Sequence, residues 1–228
     1  MADGRKLFPT PRLIAAALIA GAAVGALAVY VTSGLSGNNA ADISTSVAAS
    51  GDNACALKTE RARQVADAAT GHVAAMMAAD PPQSLAALAF NGPDGTPVTL
   101  AGHEGKTLLI NLWATWCAPC RAEMPALDML QQEKGSDRFE VVAINVDTGN
   151  DEKPKAFLEE IGVSSLAYYS DHTMGAFNDL KAKGLALGLP VTVLVDEDGC
   201  LLAHMNGPAE WSTPDAFSLV EAAMDKAG

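Results

Sequence analysis

The hydrophobic residues divide the chain into an apolar N-terminal segment, a polar stretch and a long region in which strand and helix patterns alternate. Residues 13–31 are an uncharged run that would span about 28 Å as a helix, close to the roughly 30 Å hydrocarbon core of a bilayer. The preceding residues 1–12 carry Arg5, Lys6 and Arg12, and such a basic flank usually stays in the cytoplasm. The pattern therefore predicts a single transmembrane anchor, with the rest of the chain outside the cytoplasm.

A cleaved signal peptide is the alternative interpretation of the same run, because Ala26-Leu27-Ala28 offers the small residues of a cleavage site. The apolar core of a signal peptide is usually about 7–15 residues long, which is shorter than residues 13–31. The length therefore favours a retained anchor.

Two shorter regions follow the anchor. Residues 32–53 are rich in Ser, Gly, Ala and Asn without strand or helix periodicity, and they predict a flexible linker. Residues 54–84 predict an added helix, which we expect to run from Cys55 to Ala79 and to end before Pro81-Pro82. The apolar face of this helix would consist of Val65, Ala69, Val73 and Met76.

Residues 85–228 alternate between strand and helix patterns and predict one α/β domain. Thr107–Trp113 and Phe139–Val146 are continuous apolar runs, typical of strands buried on both faces, and Pro119–Gln132 is the helix between them. The other predicted elements are a hairpin over Leu88–Phe90 and Val98–Leu100, helices at Lys153–Ile161 and Thr173–Lys181, a short strand at Leu166–Tyr169, a hairpin over Val191–Val195 and Leu201–Met205, and a last helix that begins at Thr213-Pro214.

Composition narrows the classes of function. The chain has 15 basic and 27 acidic residues and a formal net charge of −12, which argues against nucleic-acid binding. The four histidines show no spacing typical of metal ligands, so we expect neither a metal nor a cofactor; they are His72, His103, His172 and His204.

The candidate chemistry lies in Trp116-Cys117-Ala118-Pro119-Cys120, directly after the first buried strand. A cysteine at a helix N-terminus is favoured as a thiolate, because unpaired backbone N–H groups and the helix dipole stabilise its charge. Cys120 lies one turn further along the helix, near enough to close a disulfide. The motif predicts a redox pair in which Cys117 attacks a partner disulfide and Cys120 resolves the mixed disulfide. A structural disulfide or half of a zinc site is the alternative.

Two separated motifs resemble the thioredoxin superfamily. Trp113 to Arg121 resembles its active-site motif, and Gly188-Leu189-Pro190-Val191-Thr192 resembles its second motif. The forms of Cys120 to Pro125 and Val142 to Asp147 are similar to the TlpA/ResA-like family of membrane-tethered, extracytoplasmic thiol–disulfide oxidoreductases, and the overall layout is most similar to the TlpA type. The resemblance covers residues 85–228 and implies a thioredoxin-like fold, a central mixed sheet flanked by helices.

The resemblance also implies roles for individual residues. Pro190 matches the cis-proline that faces the dithiol, although a trans-proline at a strand start is the alternative. Asn111 stands where thioredoxins have a buried Asp, and Glu123 matches an acid of the ResA-like branch, so we expect Glu123 to relay protons to the thiols. A solvated surface glutamate is the alternative. The residues expected to face a substrate are Trp116, Ala118, Pro119, Leu189 and Pro190.

Cys55 and Cys200 are the remaining cysteines, and their spacing fits no metal site. The even cysteine count and the oxidising location outside the cytoplasm predict a structural Cys55–Cys200 disulfide that joins the added helix to the domain. Two free buried thiols are the alternative.

The function implied by the resemblance is that of a protein-disulfide reductase on a bacterial inner membrane, with its C-terminal domain in the periplasm. Its substrates would be exported proteins with cysteine pairs, among them cytochrome oxidase copper-site proteins, their copper chaperone or apocytochrome c, and a membrane electron carrier would re-reduce it. Two alternatives stay open: a Cu(I) metallochaperone that holds the ion between Cys117 and Cys120, and a disulfide oxidase or isomerase.

Overall fold

An eight-stranded sheet forms the centre of residues 51–225, which are the residues that the computed structural model describes. The strands are β1 Met77–Ala78, β2 Ala89–Asn91, β3 Pro97–Thr99, β4 Thr107–Trp113, β5 Phe139–Asn145, β6 Tyr169–Ser170, β7 Val191–Val195 and β8 Leu201–Asn206. The strand order is β1-β8-β7-β4-β5-β6-β2-β3. β4 is parallel to β5 and antiparallel to β7, so the sheet is mixed.

Five α-helices accompany this sheet, besides a short helical segment at residues 51–56 where the described region begins. They are α1 Thr59–Asp67, α2 Ala118–Lys134, α3 Glu152–Glu160, α4 Gly175–Ala182 and α5 Pro214–Met224, and short 3₁₀ turns occupy Gly71–Val73 and Leu100–His103. Every residue of β4 and of β7 is buried. Because side chains alternate between the faces of a sheet, both faces of these central strands are covered. The prediction of a thioredoxin-like α/β fold with a central mixed sheet and flanking helices is therefore confirmed.

The pairing of β4 with β7 places two predicted motifs at one edge of the sheet. Leu112, near the end of β4, pairs with Val191 at the start of β7. The chain that leaves β4 leads to Cys117, and Pro190 directly precedes β7. The dithiol motif and the proline motif therefore meet at the carboxyl end of β4, where open α/β sheets place their chemistry.

The added helix differs from the prediction. The chain is helical over 51–56 and again in α1, but α1 ends at Asp67 instead of continuing to Ala79. Gly71 has a left-handed φ of 51°, and Met77–Ala78 forms β1, paired with β8. The apolar periodicity of residues 65–76 therefore reflects the packing of the end of a helix and the turn that follows it against one core. Residues 51–53, the last three of the predicted linker, are helical.

The predicted basic flank, the anchor and residues 32–50 of the linker lie outside the described residues. Among the residues that are described, no helix has the length and apolar character needed to cross a membrane.

Candidate functional site

The dithiol sits at the N-terminus of α2. Cys117 is the N-cap residue, and its Sγ accepts a hydrogen bond from the backbone N–H of Cys120 at 3.3 Å. A disulfide joins the two residues, whose Cα atoms are 5.3 Å apart. Pro119 stands in the first turn of the helix, where the missing N–H costs no hydrogen bond. The local sequence thus folds into a capped helix start that presents both sulfurs together.

The two cysteines differ in access to solvent. Cys117 is 6% exposed, while Cys120 is completely buried. Of the two sulfurs, that of Cys117 is therefore the one that a partner can reach. Trp116, at 63% exposure, and the exposed Ala118 and Pro119 surround it.

The second motif lies beside this pair. The Leu189–Pro190 peptide bond is cis, Pro190 is buried and Leu189 is half-buried. The preceding loop is held by Asn206 of β8, whose Oδ1 accepts from the backbone N–H of Leu187 at 2.7 Å and whose Nδ2 donates to the carbonyl of Leu185 at 3.0 Å. Leu187 itself is 85% exposed.

Glu123 is buried on α2 and is not a solvated surface glutamate. Only 3% of it is exposed, and three groups donate hydrogen bonds to its carboxylate. Asn111 Nδ2 reaches Oε1 at 2.8 Å, while the backbone N–H of Ala209 and Trp211 Nε1 both reach Oε2 at 3.1 Å. Burial raises the pKa of Glu123, and the three hydrogen bonds oppose this rise.

Asn111 occupies the sheet position beneath this acid. Its Nδ2 donates both to Glu123 and to Thr192 Oγ1, the latter at 3.0 Å, and its Oδ1 has no partner among the described residues. Asn111 and Glu123, which the sequence treated as alternative positions for proton chemistry, are therefore direct neighbours. The non-ionisable residue supports the ionisable one.

Sequence reasoning also missed Asp147, the residue that holds the loop between β4 and Cys117 by hydrogen bonds. The backbone N–H of Thr115 donates to both carboxylate oxygens of Asp147, at 3.3 and 3.1 Å, and Asn145 Nδ2 donates to the same carboxylate at 3.3 Å. Asp147 is 8% exposed. A polar residue directly after a buried strand was the available signal, since such residues gather at the carboxyl edge of a sheet.

The other two cysteines form a second disulfide. Cys55 and Cys200, each 2% exposed, are joined across a sequence separation of 145 residues. Free cysteines are absent from the described region. No group of three or more potential metal ligands occurs in residues 51–225.

These features first define a class of protein, since a thioredoxin-like domain that carries a CxxC disulfide at a helix N-terminus is a thiol–disulfide oxidoreductase. The Redoxin family model matches residues 77–221, more than half of the 228 residues. The chain therefore belongs to the Redoxin family.

Individual relatives agree with this assignment. The thioredoxin-like protein YneN of Bacillus subtilis is 36% identical over 119 residues, which cover 48% of this chain and 65% of YneN, just under two thirds of its length. The thiol–disulfide oxidoreductase ResA of Halalkalibacterium halodurans is 27% identical over 129 residues, which cover 56% of this chain and 70% of ResA. A solved structure of a thiol:disulfide interchange protein of the thioredoxin family from Chlorobium tepidum is 25% identical, with a TM-score of 0.54, and the match covers 65% of this chain and 100% of the other.

The predicted resemblance to ResA-like thiol–disulfide oxidoreductases of the thioredoxin superfamily is thus confirmed. The family and these relatives support protein-disulfide reductase activity.

Proposed function

We propose that the protein is a periplasmic, membrane-tethered reductase of disulfides in exported proteins. The anchor predicted at residues 13–31 supports this location, because it would export the domain that carries the dithiol. A tether would also raise the concentration of the dithiol near membrane-bound partners. The resemblance to the TlpA/ResA-like family favours cysteine pairs of cytochrome oxidase copper-site proteins or apocytochrome c as the substrates.

The buried Glu123 carboxyl group, on the same helix as the dithiol, is the observation that carries the direction of electron flow. The helix N-terminus favours a thiolate at Cys117, whereas a buried carboxylate nearby disfavours a second negative charge. Strong oxidants of this superfamily owe their oxidising power to a stabilised reduced form. Because the buried carboxylate opposes the stabilisation of the thiolate by the helix N-terminus, the reduced form is less stable and the reduction potential lower, as expected of a reductant.

The proposed cycle begins with attack of the Cys117 thiolate on a substrate disulfide. A mixed disulfide forms, and the other substrate sulfur leaves as a thiolate and takes a proton from water. Glu123 then accepts the proton of the Cys120 thiol, and the Cys120 thiolate attacks Sγ of Cys117. The second substrate sulfur leaves with the proton that Glu123 held, so the substrate has gained two electrons and two protons. A dithiol of a membrane electron carrier reduces the Cys117–Cys120 disulfide by the same exchange.

Redox titration of the purified chain against glutathione tests the direction. We expect a reduction potential of about −200 mV or lower, whereas a potential near about −120 mV would contradict a reductase. A variant with Ala at both Cys117 and Cys120 is the control, because it lacks the titrating pair and keeps Cys55 and Cys200.

The variant Glu123→Gln tests the proton relay. Gln preserves the size of the side chain but does not take up the Cys120 proton, so resolution of the mixed disulfide should become slower. The pKa of Cys117 should fall, because removal of a negative charge favours the thiolate. Thiolate absorbance against pH and single-turnover kinetics measure both effects. Glu133→Gln is the matched control, since Glu133 lies exposed on the same helix. Equal Cys117 pKa values and equal resolution rates in the two variants would contradict the proton relay.

A C-terminal fusion to alkaline phosphatase tests the location, because this enzyme is active only after export. An active fusion that sediments with membranes is the expected result. An active but soluble fusion would indicate cleavage after the apolar run, and an inactive one would contradict a periplasmic domain.

A further inference from the structure

The loop between β8 and α5 supplies two of the three donors that hold Glu123. The indole N–H of Trp211 and the backbone N–H of Ala209 converge on one carboxylate oxygen, Oε2, each at 3.1 Å. Trp211 is 0% exposed and Glu123 is 3% exposed, so water has little access to these bonds. Trp211 follows Cys120 by more than 90 residues, and neither redox motif includes it.

We infer that Trp211 is a positioning residue, whose indole N–H fixes the orientation of Glu123 and keeps it able to exchange protons with the dithiol. This inference rests on the proposed relay role of Glu123. Trp211 acts on the dithiol through the acid.

The chemistry of the surroundings supports this role. All three partners of Glu123 donate, and none carries a charge: Asn111 faces it from β4, and Ala209 and Trp211 face it from the β8–α5 loop. Thr192 of β7 accepts a hydrogen bond from Asn111 through its Oγ1. Uncharged donors favour the ionised carboxylate, while burial favours the neutral acid. The other titratable residues of the same helix are Cys120, Arg121, Asp128, Glu133 and Lys134, and none of them donates one of these three hydrogen bonds. Burial raises the pKa of Glu123, and the three hydrogen bonds oppose that rise.

Trp113 provides a matched control for Trp211. Both side chains are 0% exposed, but Nε1 of Trp113 has no hydrogen-bond partner among the described residues. Its ring packs against Phe157 with the ring centroids 5.9 Å apart. A Trp→Phe change removes the same atoms from a buried site in both cases, and only at position 211 does it remove a donor from Glu123.

The experiment compares Trp211→Phe with Trp113→Phe in the detergent-solubilised full chain. Carboxyl ¹³C NMR measures the pKa of Glu123 in the oxidised protein. Loss of a hydrogen bond to a charged group should raise this pKa by about one unit or more in Trp211→Phe, and Trp113→Phe should leave it nearly unchanged. The limb of the pH–rate profile that needs ionised Glu123 should move to higher pH only in Trp211→Phe.

A measurement on the unaltered protein keeps the inference testable if Trp211→Phe does not fold. The indole ¹H–¹⁵N signal of Trp211 should titrate with the pKa of Glu123, while the Trp113 signal should not. A Trp211 signal that ignores Glu123, or equal pKa shifts in the two Phe variants, would overturn the inference. If Glu123→Gln changes the thiols but Trp211→Phe does not, only the role of Trp211 fails; if Glu123→Gln changes nothing, the proposed relay itself fails.

Discussion

Glu123 and Glu140 are buried or half-buried carboxylates of one domain, and their surroundings shift their pKa values in opposite directions. Glu123 has only uncharged donors, and burial raises its pKa. Glu140, on β5, has His103 Nδ1 at 3.8 Å, accepts from the Tyr169 hydroxyl and pairs with Lys106 Nζ at 2.9 Å. These partners outweigh burial and lower the pKa of Glu140 to about 2. Glu123 is therefore suited to exchange protons, whereas Glu140 stays ionised and stabilises the fold.

The low pKa of Glu140 makes folding stability depend on acid. Its folded-state pKa lies below the ordinary value of 4.5, so its contribution is complete above pH 4.5 and is lost as pH falls toward 2. The shift of the Glu140 pKa corresponds to a contribution of about 3 kcal/mol or less to the free energy of unfolding. Glu140→Gln should lower the free energy of unfolding at pH 7 and flatten its pH dependence in this window, as measured by urea denaturation. Glu160→Gln, at an exposed position of α3, should keep the steep dependence, and an equally steep curve for Glu140→Gln would contradict the assignment.

At the scale of elements, α1 is held by a disulfide and by ion pairs. The Cys55–Cys200 disulfide precedes it in the chain, and Lys58 and Arg61 reach Asp196 at 2.6 and 3.3 Å.

A variant with Ala at Cys55 and Cys200 should lose up to about 5 kcal/mol of unfolding free energy, because the closed loop is long. Hydrogen exchange in α1 should become faster, while the reduction potential of the dithiol should stay unchanged. An altered potential would show that the second disulfide takes part in the chemistry.

The elements that the sequence predicted well are those defined by local signals. β4 was predicted over its observed residues from one apolar run, and α5 begins where Thr213 caps it, its Oγ1 accepting from the N–H of Ala216 at 3.4 Å. The turn that follows α1, where the sequence predicted more helix, contacts a distant residue. The Asp215 carboxylate accepts from the Thr70 hydroxyl at 3.0 Å, and a Cβ on Gly71 would lie 2.1 Å from its Oδ2. No local pattern contains that contact.

The candidate site divides in the same way. Cys117, Cys120, Glu123 and Pro190 belong to contiguous motifs, and the structure brings these motifs to one edge of the sheet. Trp211 lies in a loop without periodicity, and its hydrogen bond to Glu123 spans 88 residues. Only the closed fold reveals such a partner, because sequence spacing carries no information about it.

At the scale of the whole molecule, the redox state of the dithiol and the stability of the fold are linked. The redox form in which the folded protein is more stable unfolds at the higher denaturant concentration. For a two-electron couple, a difference of about 30 mV in reduction potential corresponds to about 1.4 kcal/mol of unfolding free energy. A strong oxidant is more stable when reduced. Here reduction would place thiols at positions that are 6% and 0% exposed, on the same helix as the buried Glu123. We therefore expect the oxidised form to be more stable than the reduced form.

The oxidised protein should therefore unfold at a higher urea concentration than the protein whose Cys117–Cys120 pair is reduced. Both forms are best compared in the variant that lacks Cys55 and Cys200, because a reductant would otherwise open two disulfides at once. Introducing Glu123→Gln into this background should reduce the difference between the unfolding midpoints of the oxidised and reduced forms, since the reduced form then no longer carries a buried carboxylate near a thiolate. A reduced form that is the more stable one would mean that the fold favours electron uptake, and the protein would then act as an oxidant rather than a reductase.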